Sequence, residues 1–197
     1  MIKAEQLILA SASPRRQELL RVLGIDFDVI PSDVGEEFLD GETPRDHVLR
    51  LAQEKSIAVS QSNPSAWVLG ADTVVVINNE VLGKPETQDE ERVMLAKLSG
   101  RSHKVLTGFS IVKGGKLLIH DVVESTVIFK EIQEDEVEWY VSTKEPYDKA
   151  GGYAVQGMAA FFVKEIHGSY ANVVGLPLTE VVAALKHIGA ISFEGER

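Results

Sequence analysis

Short apolar runs alternate with longer amphipathic segments through the first half of the chain, and this alternation is typical of α/β proteins. Residues 7–10 and 27–31 are predicted strands, whereas residues 14 to about 23 and 44 to about 59 are predicted helices. Both helices begin with a proline that follows a hydroxyl side chain, which is a favourable N-cap and first helical residue. We expect Lys55, the lysine of the second helix, to lie off its apolar face.

The second half of the chain continues the pattern with longer strands. Residues 67–72 form a predicted buried strand that ends at Asp72, and residues 73–77 lead to a turn before a short strand at 81–82. A capping box of Thr87 and Glu90 begins a helix that ends near residue 98. The remaining predicted elements are paired strands at 103–112 and 116–129, a helix at 134–141, a strand at 159–166 and a helix at 178–187. We therefore predict one domain over residues 1–197 with a mixed sheet.

Composition narrows the class of protein. A chain of 197 residues with 44% hydrophobic residues can bury a full core without disulfides, and it contains no cysteine. The first residues lack the pattern of a signal peptide and no apolar run is as long as a membrane span, so we expect a soluble cytoplasmic protein without a membrane partner. The net charge of -10 argues against a nucleic-acid partner. A small anionic substrate requires a local cluster of cations.

The turn into the first helix supplies candidate cations. Ser11 lies in the turn, Ser13 and Pro14 begin the helix, and Arg15 and Arg16 follow in its first turn. Amide groups and the helix dipole already favour an anion at this point, and two guanidinium groups add to that preference. A phosphate or carboxylate is therefore the expected ligand. The alternative is an ordinary capped surface helix.

Acidic side chains in two places can hold a metal ion or accept a proton. Asp72 follows an apolar strand and the small residue Gly70, which leaves room for a ligand; the alternative is an aspartate bonded to its own turn. Glu36 and Glu37 lie in a polar loop and offer the hard oxygen atoms that Mg²⁺ or Mn²⁺ prefers, although such loops are ordinarily just solvated. Both interpretations stay open for each acid.

Two further residues lie in irregular segments rich in glycine or proline. Lys84 lies between Gly83 and Pro85, and alone it reads as a surface lysine. Gln156 belongs to the loop at 148–157, and its amide can read a nucleobase edge or simply bond to loop amides. The five histidines have no spacing typical of a zinc hydrolase.

Several short motifs then carry a resemblance that covers nearly the whole chain, from about residue 7 to residue 187. They are LASASPRR at 9–16, RLAQEK at 50–55, GADT at 70–73, GKP at 83–85, LSG at 98–100, DKAG at 148–151, VQG at 155–157 and VGLP at 174–177. In order and spacing they resemble the Maf family of nucleoside triphosphate pyrophosphatases.

This resemblance implies an α/β/α fold with a mixed twisted sheet in two lobes and a central cleft, related to the inosine triphosphate pyrophosphatases. It also implies a homodimer, a divalent metal cofactor (Mg²⁺ or Mn²⁺), and hydrolysis of a nucleoside triphosphate substrate between its α and β phosphates. The products are a nucleoside monophosphate and pyrophosphate, and the implied role is house-cleaning of nucleotide pools with a link to arrest of cell division.

The resemblance also assigns roles to individual residues. Asp72 corresponds to the proton acceptor of the family, although it can equally hold the metal, and Glu36 is a second metal candidate. Relatives often carry two adjacent acids that begin one position earlier, where this chain has Gly35. The expected phosphate contacts are Arg15, Arg16, Lys55 and Lys84, and Ser11 is a further expected substrate-binding residue.

The branch of the family depends on three positions. Relatives that act on 7-methyl-GTP tend to carry tryptophan, glutamine and glutamate where this chain has Arg15, Thr73 and Gln156. The chain thus resembles the dTTP/UTP branch, and a glutamine amide suits the edge of these pyrimidines. The alternatives are a nucleotide-sensing regulator of division and an inosine or xanthosine triphosphate pyrophosphatase.

Overall fold

The computed structural model of this protein describes residues 2–193 and has the mixed α/β class that the sequence predicts. Met1 and residues 194–197 lie outside the described range, and the single domain over residues 1–197 stays a prediction. Within residues 2–193, no helix is both long enough and apolar enough to cross a membrane.

Strands and helices alternate along the chain. The strands are β1 (Ile2–Ala4), β2 (Leu7–Leu9), β3 (Asp28–Val29), β4 (Trp67–Ile77), β5 (Glu80–Leu82), β6 (Ser102–Lys113), β7 (Lys116–Phe129), β8 (Val163–His167) and β9 (Ile191–Phe193). The helices are α1 (Pro14–Val22), α2 (Pro44–Ser62), α3 (Gln88–Leu98), α4 (Glu134–Val141), α5 (Tyr170–Val174) and α6 (Leu178–His187). Short 3-10 turns lie at Pro146–Asp148, Ala150–Gly152 and Met158–Phe162.

The described strands form one large mixed sheet and one small sheet. The large sheet has the order β3-β2-β4-β6-β7-β8, and β5 pairs with β4. Strand β2 runs parallel to its neighbours, so that Leu9 lies opposite Val29 on one side and Leu69 on the other. Strand β5 is antiparallel to β4, and β8 is antiparallel to β7. The predicted mixed sheet is therefore confirmed.

The chain divides into two compact units, each with its own apolar core. Unit 1 comprises residues 1–72, 107–123 and 175–197. The structure describes all of these except Met1 and residues 194–197. Its core includes Ile8, Val59 and Val68. Unit 2 comprises residues 73–106 and 124–174, and its core includes Phe129 and Tyr140. Burial of these apolar side chains is the main favourable contribution to folding in each unit.

Most predicted helices begin where the sequence places them, because their starts depend on local capping. Ser13 Oγ accepts from the amide of Arg16 at 3.5 Å, and Thr43 Oγ1 accepts from the amide of Asp46 at 3.2 Å. The predicted capping box at α3 is only half correct. Thr87 caps the helix, but the carboxylate of Glu90 accepts from the amide of Glu86 at 2.7 Å.

Two predicted strands differ from the structure because strand length depends on the partner. The strand expected at 27–31 is reduced to Asp28–Val29, since its partner β2 is itself only three residues long. The strand expected at 159–166 begins as the 3-10 turn Met158–Phe162 and becomes extended only at Val163. A short apolar run does not by itself distinguish these conformations.

Candidate active site

Two glycines let helix α2 approach the strands of unit 1 very closely. A Cβ atom at Gly70 would lie 2.2 Å from the carbonyl oxygen of Ala52, and one at Gly108 would lie 2.3 Å from the carbonyl oxygen of Val48. Any side chain at these positions would overlap the helix backbone. The expectation that Gly70 leaves room for a ligand is therefore wrong, because the backbone of α2 fills that space.

This close approach brings Lys55 of α2 beside strand β4. The Nζ atom of Lys55 donates to Asp72 Oδ1 at 2.7 Å and to Glu36 Oε1 at 2.6 Å. The side chain of Lys55 is only 8% exposed and that of Asp72 11%, whereas that of Glu36 is 51% exposed. Lys55 thus lies in the interior, where its charge is balanced by two carboxylates.

Asp72 lies in the middle of β4 and not at its end. The strand runs without interruption over Trp67–Ile77, so the prediction that Asp72 ends a strand is wrong. The backbone of Asp72 is therefore fixed by the sheet, and its carboxylate is held by Lys55. A carboxylate held on a regular strand is more precisely oriented than one in a loop.

The start of α1 supplies a second buried cation. Arg16 donates from Nε to the carbonyl oxygen of Gly175 at 2.7 Å and from Nη1 to Ser11 Oγ at 3.0 Å. Burial lowers the pKa of the Arg16 guanidinium, and Arg15 lowers it further, while Asp72 and Glu36 act in the opposite direction. An arginine side chain nevertheless stays protonated in proteins.

These contacts unite most of the predicted site residues of unit 1. Ser11 contacts Arg16, Lys55 contacts both carboxylates, and the charges of Asp72 and Glu36 act on Arg16. We call Arg16, Glu36, Lys55 and Asp72 the charged cluster. Four functional groups of alternating charge in one place can bind a phosphate and activate water.

Arg15 lies in the first turn of α1 in unit 1, and the other predicted residues belong to unit 2. Thr73 lies on β4, Lys84 is exposed after β5, and Gln156 is exposed in the segment before the 3-10 turn Met158–Phe162. The carbonyl oxygen of Gly83 accepts from the amide of Gly151 at 2.8 Å, so the GKP and DKAG motifs contact each other within this unit. Their roles in substrate binding stay predictions.

A divalent cation fits the donor set of the charged cluster. Among residues 2–193, no group of three or more histidine, cysteine, aspartate or glutamate side chains is suited to a metal ion. The oxygen atoms of Glu36 and Asp72 nevertheless converge on one cation, the ammonium group of Lys55. Mg²⁺ is typically bound in this way, by one or two carboxylates together with substrate phosphates and water.

Sequence reasoning missed two groups of buried polar residues. In unit 1, Glu42 contacts Arg50, which stands in the sequence only as the first residue of the RLAQEK motif. In unit 2, the Glu91 side chain is fully buried, and burial raises its pKa to about 9. Burial likewise lowers the pKa of His103 to about 4, and its Nε2 atom lies 2.7 Å from the Tyr153 hydroxyl. No sequence signal indicated that these polar side chains are buried.

Comparison with known proteins gives consistent similarities over nearly the whole chain. A family model described as Maf-like protein matches residues 6–188. A dTTP/UTP pyrophosphatase of Syntrophus aciditrophicus is 59% identical over 195 residues, which cover 98% of this chain and 95% of the relative. A dTTP/UTP pyrophosphatase of Geotalea uraniireducens is 50% identical over 186 residues, which cover 94% of this chain and 96% of the relative.

Solved structures show a more distant similarity. The Ham1 protein of Staphylococcus aureus matches 66% of this chain and 73% of its own, with a TM-score of 0.46 and 18% sequence identity.

Proposed function

This chain belongs to the Maf family, and we propose that it hydrolyses dTTP and UTP to the nucleoside monophosphate and pyrophosphate. The observation that carries the proposal is the contact of the buried Lys55 with both Asp72 and Glu36. The names of relatives at 59% and 50% identity support pyrimidine triphosphates as the substrate class. The cellular role is removal of unwanted pyrimidine nucleotides from the pool.

Phosphate groups of the substrate bind at the start of α1. Arg16 is fixed by Gly175 and Ser11, and Arg15 lies beside it in the first helical turn. The helix start favours an anion, and guanidinium groups bind phosphate oxygens through paired hydrogen bonds. Lys55 and Lys84 provide further positive charge in this proposal. The local cations thus offset the overall charge of -10.

Glu36 and Asp72 would hold the divalent metal ion, either Mg²⁺ or Mn²⁺. When bound, this ion supplies charge neutralisation for the phosphates and for the pyrophosphate leaving group. The contribution of the chain is to fix two carboxylates on either side of Lys55, one on strand β4 and one in the loop that precedes α2.

Asp72 accepts the proton of the attacking water. The water oxygen forms a bond to the α-phosphorus, the bond between that phosphorus and the bridging oxygen breaks, and pyrophosphate leaves with that oxygen. The released proton goes to the carboxylate of Asp72. Lys55 Nζ, 2.7 Å from Oδ1, holds this carboxylate in position. Metal titration of Asp72→Asn distinguishes proton transfer from metal binding. If Asp72 accepts the proton, turnover of the variant stays low even at saturating metal.

Base selection is assigned to Arg15, Thr73 and Gln156. A glutamine amide pairs with the donor and acceptor atoms at the edge of thymine or uracil. We expect changes at these positions to alter base preference more than the chemical step. A homodimer, which the family resemblance implies, and a cytoplasmic location, which the absence of cysteine fits, belong to the same proposal.

The test is pyrophosphate release from dTTP, UTP, CTP, GTP, ITP and 7-methyl-GTP, with Mg²⁺, with Mn²⁺ and with a chelator. Metal-dependent release mainly from dTTP and UTP supports the proposal. A preference for ITP would contradict the assigned substrate, and binding without release would favour a nucleotide-sensing regulator instead.

A further inference from the structure

The loop before α2 is held in place by one carboxylate. We call residues 36–42, which begin with the site residue Glu36, the Glu36 segment. Glu42, at its end, accepts through Oε2 from the amide of Leu39 at 3.2 Å, while its own amide donates to the carbonyl oxygen of Leu39 at 3.0 Å. These bonds close the end of the segment into a compact turn.

Arg50 joins this turn to helix α2. Its Nε atom donates to Glu42 Oε1 at 2.6 Å and its Nη2 atom to Glu42 Oε2 at 2.8 Å, which is the paired geometry of a strong arginine–carboxylate contact. The same Nη2 atom lies 3.0 Å from the carbonyl oxygen of Glu37, the residue directly after Glu36. Arg50 therefore binds the segment at both its beginning and its end.

His47 adds a second link between the segment and α2. Its Nδ1 atom lies 2.9 Å from Glu42 Oε2, and its ring stacks on Phe38 with centroids 3.5 Å apart and planes 2° apart. The His47 side chain is 3% exposed and that of Glu42 is 7% exposed. These links are thus largely shielded from water. Hydrogen bonds to charged groups are stronger in such a shielded environment than in water.

The charge of Glu42 is stable at neutral pH. Hydrogen bonds from Arg50 contribute most, and those from His47 and Leu39 contribute less, to lowering the pKa of this carboxyl to about 2. The paired contact to Arg50 is therefore present throughout the neutral range. Arg50 lies on the same helix as Lys55, about one and a half turns earlier along α2.

We propose that Glu42 and Arg50 are positioning residues that hold Glu36 against Lys55 and so maintain the geometry of the charged cluster. The Glu36 side chain is half exposed, so burial of its own atoms does little to fix it. The segment that follows it is held to α2 by the contacts of Glu37 and Glu42 with Arg50 and of Glu42 with His47. The consequence for catalysis rests on the proposed function, whereas the consequence for the position of Glu36 does not.

The first test compares Glu42→Gln with Glu54→Gln. Both glutamates accept from Arg50, but Glu54 lies on α2 itself, 3.1 Å from Nη1. Glutamine keeps the size of the side chain and removes its charge. We expect amide exchange in residues 36–42 to accelerate about tenfold or more in Glu42→Gln. The NMR signal of the Lys55 ammonium group should shift as well, and both readouts should change little in Glu54→Gln.

The second test is a kinetic double-mutant cycle with dTTP. If Glu42 acts through Glu36, Glu42→Gln lowers kcat about tenfold with little change in KM. The double variant Glu36→Gln/Glu42→Gln is then no slower than Glu36→Gln alone. A residue that only stabilises the fold would add its own loss to that of Glu36→Gln.

Unchanged exchange and an unchanged Lys55 signal in Glu42→Gln would overturn the proposal, and so would additive losses of kcat in the double variant. If the wild-type protein releases no pyrophosphate from any nucleotide, the proposed function fails. The Lys55 signal and the exchange rates need no substrate, so they still decide whether Glu42 holds Glu36 in position.

Discussion

Each unit buries a carboxyl group, and the two groups have opposite surroundings. Asp72 in unit 1 lies 2.7 Å from the ammonium group of Lys55. Glu91 in unit 2 is fully buried, and neither of its carboxyl oxygens has a hydrogen-bond partner in the part of the chain that the structure describes. Burial raises the pKa of Glu91 to about 9, so this side chain is uncharged at neutral pH. Burial alone therefore does not determine whether a buried acid is charged; its partners do.

Unit 2 is built around the neutral acid. A Cβ atom at position 152 would lie 1.8 Å from Glu91 Oε2, so the glycine at this position leaves the space that the carboxyl group fills. His103, also in unit 2, is similar in character, since burial lowers its pKa to about 4 and keeps it uncharged. The polar interior of unit 2 is thus a packing feature, whereas that of unit 1 holds balanced charges.

Loss of the Asp72 carboxylate should have the largest effect. In Asp72→Asn the amide cannot accept a proton, and we expect kcat for dTTP to fall about a thousandfold while dTTP binding is retained. Pyrophosphate release and calorimetric binding measure the two quantities. The exposed Asp28→Asn is the matched control and should keep full turnover. Normal turnover in Asp72→Asn would remove this residue from the mechanism.

Lys55→Met tests whether the charges of the cluster stabilise each other. Methionine has a similar length but leaves the Asp72 and Glu36 carboxylates without the shared ammonium group. We expect the free energy of unfolding to fall by about 3 kcal/mol, because a buried charge loses its partner. Urea denaturation at neutral pH measures this change. Unchanged stability would mean that the carboxylates do not depend on Lys55.

Gly70→Ala tests the close approach that positions Lys55. The added methyl group would meet the carbonyl oxygen of Ala52 at 2.2 Å, and we expect a loss of about 2 kcal/mol in the free energy of unfolding. Gly83→Ala is the control, because a Cβ atom there meets nothing within 4 Å. Equal stability of the two variants would contradict the packing of α2 on β4.

Glu91→Gln should change the free energy of unfolding by an amount that depends on pH. The folded pKa of about 9 lies above the ordinary value of 4.5, so folding favours the protonated acid. The contribution of this protonated acid to the free energy of unfolding is fully present below about pH 4.5 and is lost as the pH rises towards 9. Glutamine cannot ionise, so Glu91→Gln should become progressively more stable than the wild type over this range.

Urea denaturation at several pH values measures the difference between Glu91→Gln and the wild type. The exposed Glu131→Gln serves as the control and should follow the wild type. A constant difference between Glu91→Gln and the wild type across the range would show that Glu91 is charged in the folded protein.

Helix starts could be predicted from the sequence because capping is a local interaction. Ser13 with Pro14 and Thr43 with Pro44 mark the first residues of α1 and α2 correctly. Strand extents could not be predicted as well, because they depend on a neighbour that is distant in sequence. The uninterrupted β4, which carries Asp72 at its middle, is the clearest example.

The site residues could be named from the sequence, but their contacts could not. Asp72, Glu36 and Lys55 were each candidates, and the position of Lys55 depends on the approach of α2 at Gly70. Glu42 carried no signal, since its partners include the backbone amide of Leu39 and a side chain eight residues away. Such contacts appear only once the loop is folded.

Hydrolysis of dTTP in water enriched in oxygen-18 shows which phosphorus atom the water attacks. Attack on the α-phosphorus forms the new bond at that atom, so the account predicts label in the phosphate of dTMP and none in pyrophosphate, with the signal absent in Asp72→Asn. Label in pyrophosphate, or release of inorganic phosphate with dTDP, would contradict the reaction assigned to the charged cluster.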